Sequence, residues 1–228
     1  MHFFQSMVGR KVVMAVSGGM MVLFVVAHLL GNTSIFAGPN GINAYALKLH
    51  ELVVLLWSYR VVMVMAVFLH VYYGIQLTLE NKKAKPQAYA VRKARSATLA
   101  GKTMIWTGLV IGAFLFYHLL QFTFQVTNPE MSAGRNLDPL GRPDVYHMVV
   151  LCFRNAGILL IYVSALIALA LHLTHGIQSC FQTLGLNNDR TFPVITKSGT
   201  LAAVIIFLGF VAIPIVIFVG ILNGWRGR

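Results

Sequence analysis

Apolar residues run along this chain in five long blocks, and the polar residues are gathered between them. Scanning for stretches without Asp, Glu, Lys or Arg gives Val12 to Leu30, Val61 to Leu79, Thr103 to Pro129 (its apolar part ending near Val126), Asn155 to Asn188 and Ser198 to Trp225. A helix needs about 20 mostly apolar residues to cross a bilayer. A membrane-crossing strand needs about 10 residues of alternating polarity. The blocks are continuous and mostly twice that length, so the pattern predicts helices. A helix also closes its own backbone hydrogen bonds, which a segment in lipid must do. The expected spans are I at 11–31, II at 58–80, III at 102–127, IV at 153–184 and V at 197–223. Together they make one all-α membrane domain over residues 1–228.

The connections add detail. Between spans I and II the run Ile42 to Leu52 is amphipathic, which predicts a short helix lying at the membrane surface. The segment from Asn128 to Asp144 holds Pro129, Pro139 and Pro143 with several Gly and Asp, the composition of an ordered or semi-ordered loop. Pro214 falls inside span V and is expected to kink it. No internal repeat or low-complexity tract is evident. The first apolar block is too long for a signal peptide and lacks a small-x-small cleavage site, so it is expected to remain as a span.

Composition agrees with a bilayer as solvent. Of the 228 residues 57% are apolar and 11% charged, and the mean hydropathy is +0.74. A soluble domain carries about a quarter of its residues charged, so a water-soluble globule and a disordered chain are both excluded. The net charge of +12 would suggest nucleic acid in a soluble protein. Here the basic residues sit between the spans, so topology explains them and no nucleic-acid partner is expected. Arg10, Lys11, Lys82, Lys83, Lys85, Arg92, Lys93, Arg95, Lys102, Arg190 and Lys197 fall on one side of the membrane. Lys48, Arg60, Arg135, Arg142, Arg154, Arg226 and Arg228 fall on the other. The richer side, which holds the N-terminus, is expected to be cytoplasmic. Cys152 and Cys180 are 28 helical residues apart, about 40 Å, too far for a disulfide.

The histidines change the picture most. His28, His70, His118, His172 and His175 lie inside predicted spans. A lone His there reads most simply as an interhelical hydrogen bond, but five on four helices point to a functional site. Their depths follow from the 1.5 Å helical rise. His28 lies 17 residues past Lys11 and His118 lies 16 past Lys102, which puts both about 24–26 Å from the basic ends. His70 lies 11 residues before Asn81, His172 lies 13 before Gly185 and His175 lies 10 before it, about 16, 19 and 15 Å deep. Spans I and III therefore offer one His each at an outer level, and spans II and IV at an inner level. Two imidazole pairs at two depths match two b-type haems, each iron held from both faces. Small residues lie beside the ligands: Ser17 and Gly18 in span I, Ala66 and Gly74 around His70, Ala168 and Gly176 around His172. The spacing His-x-x-x-Gly occurs in spans II and IV and favours His172 as ligand, with His175 one turn away as its neighbour. No Cys-x-x-Cys-His is present, so covalent attachment is excluded.

These residues resemble a known family. Ser17-Gly18 followed by His28, the run Phe68 to Gly74, Tyr117-His118 and above all Leu171 to Leu186 are similar to the single-chain, five-helix, two-haem cytochrome b anchor of succinate dehydrogenase or fumarate reductase, the type B succinate:quinone oxidoreductases. The resemblance runs over nearly the whole chain. It implies His28 and His118 on the outer haem iron and His70 and His172 on the inner one. In some members of the family the residue matching His175 is the ligand instead. It also implies a subunit that does not bind succinate itself. A flavoprotein subunit with FAD would handle the dicarboxylate, and an iron–sulfur subunit would pass electrons to the anchor. The anchor would exchange them with a quinone, usually menaquinone, in the respiratory chain of a bacterial inner membrane. A dimer of heterotrimers is one assembly such a chain adopts.

By the same resemblance the quinone site lies near the outer haem. His50 and Glu51 are then the candidates for its proton exchange, with Lys48 and Tyr45 beside them. Arg60 and Arg154, at the outer ends of spans II and IV, are candidates for haem propionates, and equally for interfacial anchoring. The basic loop from Lys82 to Lys102 suits docking of the iron–sulfur subunit. An alternative is the cytochrome b subunit of another quinone-linked dehydrogenase or hydrogenase, but those commonly carry two ligands on one helix. A transporter would be expected to show internal repeats and interrupted helices.

Overall fold

A computed structural model describes residues 6–83 and 99–224, so the basic residues from 85 to 95, and Arg226 and Arg228, lie outside the described residues. Seven α-helices follow one another: α1 (Met7–Thr33), α2 (Pro39–Glu51), α3 (Val53–Lys83), α4 (Leu99–His118), α5 (Val145–Phe153), α6 (Ala156–Thr183) and α7 (Phe192–Phe218). Five of them, α1, α3, α4, α6 and α7, are long and apolar enough to cross a membrane. The chain is thus a multi-pass, all-helical membrane protein. Among the described residues there is no named strand.

Local chemistry sets the helix ends. Ser6 caps α1 by accepting from the Gly9 N–H at 2.9 Å, which satisfies a donor with no partner in the first turn. Gly38 at φ 79° and Pro39 turn the chain into α2, since only Gly takes that backbone freely and Pro suits a first helical position. Asn155 caps α6 through the N–H groups of Gly157 and Ile158. α4 passes at its outer end into a π turn, Leu119–Thr123, followed by Gln125 at φ 55°. The third span therefore stops short of the expected 127. Pro214 lies buried inside α7, which continues to Phe218.

α1 packs on α3, α6 and α7, α4 packs on α6, and α6 on α7. Two close approaches depend on glycine. A Cβ at Gly209 would come within 2.8 Å of Leu29, and one at Gly31 within 2.8 Å of Cζ of the Tyr45 ring. Elsewhere the spans turn large apolar side chains outward, such as Leu23 at 72% and Val54 at 83% exposed. In water that would be costly; in lipid these faces are solvated. At one end Arg10 of α1 pairs with Glu80 of α3, and Lys82, Lys83, Arg190 and Lys197 lie at the same end.

The opposite end carries a folded cap. The short helix expected at 42–52 is α2, which runs from Pro39 to Glu51. The segment from 128 to 144 is ordered, and α5, which sequence alone does not separate from span IV, lies between it and α6. Asp144 caps α5 by accepting from His147 N–H at 3.1 Å. Cys152 accordingly lies in α5, buried, and not in the fourth span. Asn43 of α2, fully buried, joins these pieces. Its Nδ2 donates to Asp138 at 3.2 Å and to Asp144 at 3.1 Å, and its Oδ1 accepts from Tyr146 N–H at 2.9 Å. Arg142 binds Asp138 at 2.6 Å and reaches Asn40 at 2.8 Å. Around this polar knot lie Ile35, Ile42, Tyr146, Val149, Phe153, Tyr162 and Ile217.

Burial would raise the Asp138 carboxyl, but hydrogen bonds from Arg142, joined by those from Asn43 and the Leu140 N–H, outweigh it and hold its pKa at about 2. A carboxyl depressed on folding adds stability above its ordinary value of 3.8 and loses it as pH falls through the folded value. Thermal unfolding of the detergent-solubilised chain should therefore move to lower temperature as pH drops from about 4 towards 2. Asp138→Asn should flatten this part of the profile. An unchanged slope in the variant would remove Asp138 from the account.

Candidate functional site

α1 and α4 cross towards the cap and α3 and α6 cross back, so the intramembrane histidines meet at two levels. The rings of His28 and His118 stand 5.8 Å apart centre to centre. Those of His70 and His172 stand 6.2 Å apart. The glycines give the spacing of the levels. A Cβ on Gly18 of α1 would touch the His70 ring at 3.1 Å, and one on Gly108 of α4 would lie 3.5 Å from the His172 ring. Each glycine precedes the histidine of its own helix by ten residues. Along both helices the two levels are thus about 15 Å apart.

Three of the four rings have Nδ1 engaged. His70 Nδ1 lies 3.1 Å from the Met14 carbonyl; a carbonyl only accepts, so His70 donates. His172 Nδ1 lies 3.1 Å from Thr107 Oγ1, whose hydroxyl hydrogen points to the carbonyls of Thr103 and Met104. His118 Nδ1 lies 3.0 Å from the Tyr162 hydroxyl, and Tyr162 donates to Gln121 Oε1 at 2.7 Å. In each case the partner has no hydrogen to offer, being a carbonyl or a hydroxyl that donates elsewhere, so the ring donates from Nδ1. The Nε2 lone pair is left for another bond. His28 is packed by rings instead, Phe24 stacked at 5.3 Å and Phe210 tilted at 5.9 Å.

This donor set suits a haem iron better than a zinc ion. Among the described residues no three His, Cys, Asp or Glu converge as a metal cluster, and zinc takes three or four protein ligands. A haem iron has four nitrogens from its porphyrin and asks the protein for two. Two imidazoles bound through nitrogen to one such iron have ring centres about 6 Å apart, given metal–nitrogen bonds of about 2 Å. Both observed separations match. Small residues stand where expected: Ser17, Ala66, Ala165 and Ala168 are buried, a Cβ at Gly74 would lie 4.0 Å from Met14, and one at Gly176 would meet nothing within 4 Å. The Ser17 hydroxyl is bonded back to Val13 and Met14 of its own helix.

The other candidates are more dispersed. His175, one turn beyond His172, is half-buried, and its ring pairs with no histidine among the described residues. Arg60 lies over the Trp57 ring at 5.0 Å, and Arg154 closes the end of α5. His50 is exposed, its Nδ1 donating to the Ala46 carbonyl of its own helix at 2.8 Å. Glu51 is the exposed last residue of α2, with exposed Lys48 one turn back. Arg60, Arg154, His50, Glu51 and Lys48 belong to the capped end.

Sequence reasoning missed Thr107, Gly108, Gln121 and Tyr162. A signal for the first two exists. Met14, Ser17, Gly18, Phe24 and His28 on α1 recur at the same spacing as Met104, Thr107, Gly108, Phe114 and His118 on α4. Likewise Ala66, Leu69, His70 and Gly74 on α3 recur as Ala168, Leu171, His172 and Gly176 on α6. The chain thus carries a weak repeat of a helix pair, too sparse to notice before the histidine pairs single out its positions. Comparison with protein-family models, with curated proteins and with solved structures finds no match.

Proposed function

We propose that the chain is a membrane cytochrome b that holds two haems, one between His28 and His118 and one between His70 and His172. More particularly, it is the membrane anchor of a succinate:quinone oxidoreductase, carrying electrons between an iron–sulfur subunit and a quinone of the menaquinone type. The observation that carries the first statement is the meeting of four imidazoles, two by two, at levels about 15 Å apart, with Nδ1 engaged on three of them. The second rests on the likeness of the four histidine-bearing helices to that family. It is supported by the basic end near Arg10, Lys82, Lys83, Arg190 and Lys197, where an acidic face of a partner would dock.

Haem supplies reversible one-electron chemistry when bound. The protein's part is to hold the two imidazole pairs in line across the membrane and to keep each ring in the tautomer that binds through Nε2. It also surrounds them with apolar side chains that exclude water. On this reading the N-terminus faces the cytoplasm of a bacterium and the cap faces outward. His50 and Glu51 then lie on the outer face, where a quinone exchanges protons. The flavoprotein with its FAD would join through the iron–sulfur subunit.

The test is direct. The purified chain should show a reduced-minus-oxidised b-type spectrum and a pyridine haemochrome value of two haems per polypeptide. A value of zero would end the reading. Copurification of a flavoprotein and an iron–sulfur protein from native membranes would support the narrower statement, and copurification with a hydrogenase or formate dehydrogenase would replace it.

A further inference from the structure

The helix-pair repeat makes the two halves of the chain nearly equivalent around the histidines, and it makes one difference stand out. Tyr162 lies ten residues before His172 on α6. The equivalent position on α3, ten residues before His70, is Arg60. Tyr162 is 7% exposed and sits among Phe114, Phe122 and Phe153, with ring centres 4.8, 6.1 and 4.8 Å away. Its hydroxyl nonetheless has two partners, His118 Nδ1 at 3.0 Å and Gln121 Oε1 at 2.7 Å. Gln121 is itself buried, on the π turn that ends α4. Arg60 does no such thing for His28; it stacks on Trp57, and among the described residues the His28 ring makes only ring contacts.

An ordered polar chain in so apolar a setting has a consequence for the ring it ends on. A hydroxyl that donates its own hydrogen becomes a better acceptor. The proton on His118 Nδ1 is therefore pulled harder, and Nε2 becomes a more electron-rich ligand. Such a ligand favours the oxidised form of a bound iron and lowers its reduction potential. At the other level the acceptors are the Met14 carbonyl and the Thr107 hydroxyl, which donates to the Thr103 and Met104 carbonyls of its own helix; the Tyr162 hydroxyl differs in being a phenol that donates to a buried side chain of another helix.

We propose that Tyr162, held by Gln121, is a positioning residue for the outer pair. Acting through His118, it fixes that ring's tautomer and sets the potential of the centre held by His28 and His118 apart from that of the inner one. This rests on the cytochrome reading above. It is tested on the full-length, haem-loaded chain by potentiometric titration of the visible spectrum. In Tyr162→Phe both haems should remain, one centre should titrate at a higher potential and the other should not move. The centre that moves should be the one missing from His28→Ala. Both potentials unmoved, or both moved equally, would overturn the proposal. Should Tyr162→Phe fail to fold, Gln121→Leu gives the second reading: the same centre rises by a smaller amount, and no movement counts against the relay. A wild-type chain without haem would sink the cytochrome reading before any variant is made, so the two failures are distinct.

Discussion

His70→Ala should leave one haem on the purified chain where the unaltered chain holds two, and His28→Ala should also leave one, but the other one. A bis-imidazole iron that loses a ligand from one face loses much of its hold, and the lost centre takes its spectral band with it. The pairing then dictates the double variants. His70→Ala with His172→Ala removes nothing further, because both act on the same centre, and residues that act as a unit are strongly non-additive. His70→Ala with His118→Ala should empty the chain. Within α6 the contrast is sharper still. His172→Ala should behave as His70→Ala does, since its ring lies 6.2 Å from that of His70, whereas His175→Ala should keep both haems. Haem content by pyridine haemochrome, with difference spectra to tell the centres apart, reads all of these. If His175→Ala lost a haem and His172→Ala did not, the ligand assignment on α6 would be reversed. If either single variant at His28 or His70 kept both haems, the pairing itself would fail.

Gly18→Val should mimic the loss of His70 without touching a ligand. A Cβ at Gly18 would already lie 3.1 Å from His70 Cε1 and 3.2 Å from Nδ1, tighter than ordinary van der Waals contact, and Val adds two methyl groups to that Cβ. Overpacking of this kind costs about 1–3 kcal/mol, and here it falls on a side chain whose orientation is the site. The bond from His70 Nδ1 to the Met14 carbonyl would be lost with it. The expected result is one haem per chain, the inner one gone, with the centre of His28 and His118 intact ten residues along the same helix. Gly108→Val should do the same to His172, though less completely, since its Cβ would stand 3.5 Å away. Retention of both haems in Gly18→Val would show that α1 and α3 adjust their spacing and that the glycine is not needed there. Loss of the outer haem instead would contradict the assignment of levels.

Much of this was legible before any coordinates. The five spans follow from runs of apolar residues, because lipid imposes a minimum length and requires the backbone to satisfy itself. The levels of the histidines follow as well. Rise per residue is nearly constant in a helix, so counting from the inner end of each span places His28 with His118, and His70 with His172 or His175. What counting cannot supply is rotation about the helix axis. His172 and His175 are one turn apart and nearly at one depth; only the packing of α6 against α4 turns His172 towards His70. Tyr162 reads in sequence as one more aromatic residue in an apolar run, and Gln121 as a polar residue near a helix end. Their relay to His118 exists because the π turn after His118 brings Gln121 to the buried face.

The cap shows the same division. An amphipathic stretch at 42–52 and a Pro-rich stretch at 128–144 are each visible locally, the first as a short helix and the second as a connecting segment. That they are one structure depends on Asn43 reaching Asp138, Asp144 and Tyr146 across about a hundred residues of sequence. Sequence by itself determined what depends on one segment at a time: the number of crossings, their helical form and how deep each imidazole lies. Tertiary structure alone decided which faces meet, and so which histidine on α6 looks inward, which hydroxyls take the Nδ1 protons and where a glycine is required. The physical reason is that apolarity and helical rise are properties of a local stretch, whereas rotation and approach are settled by side chains from distant segments packing against one another.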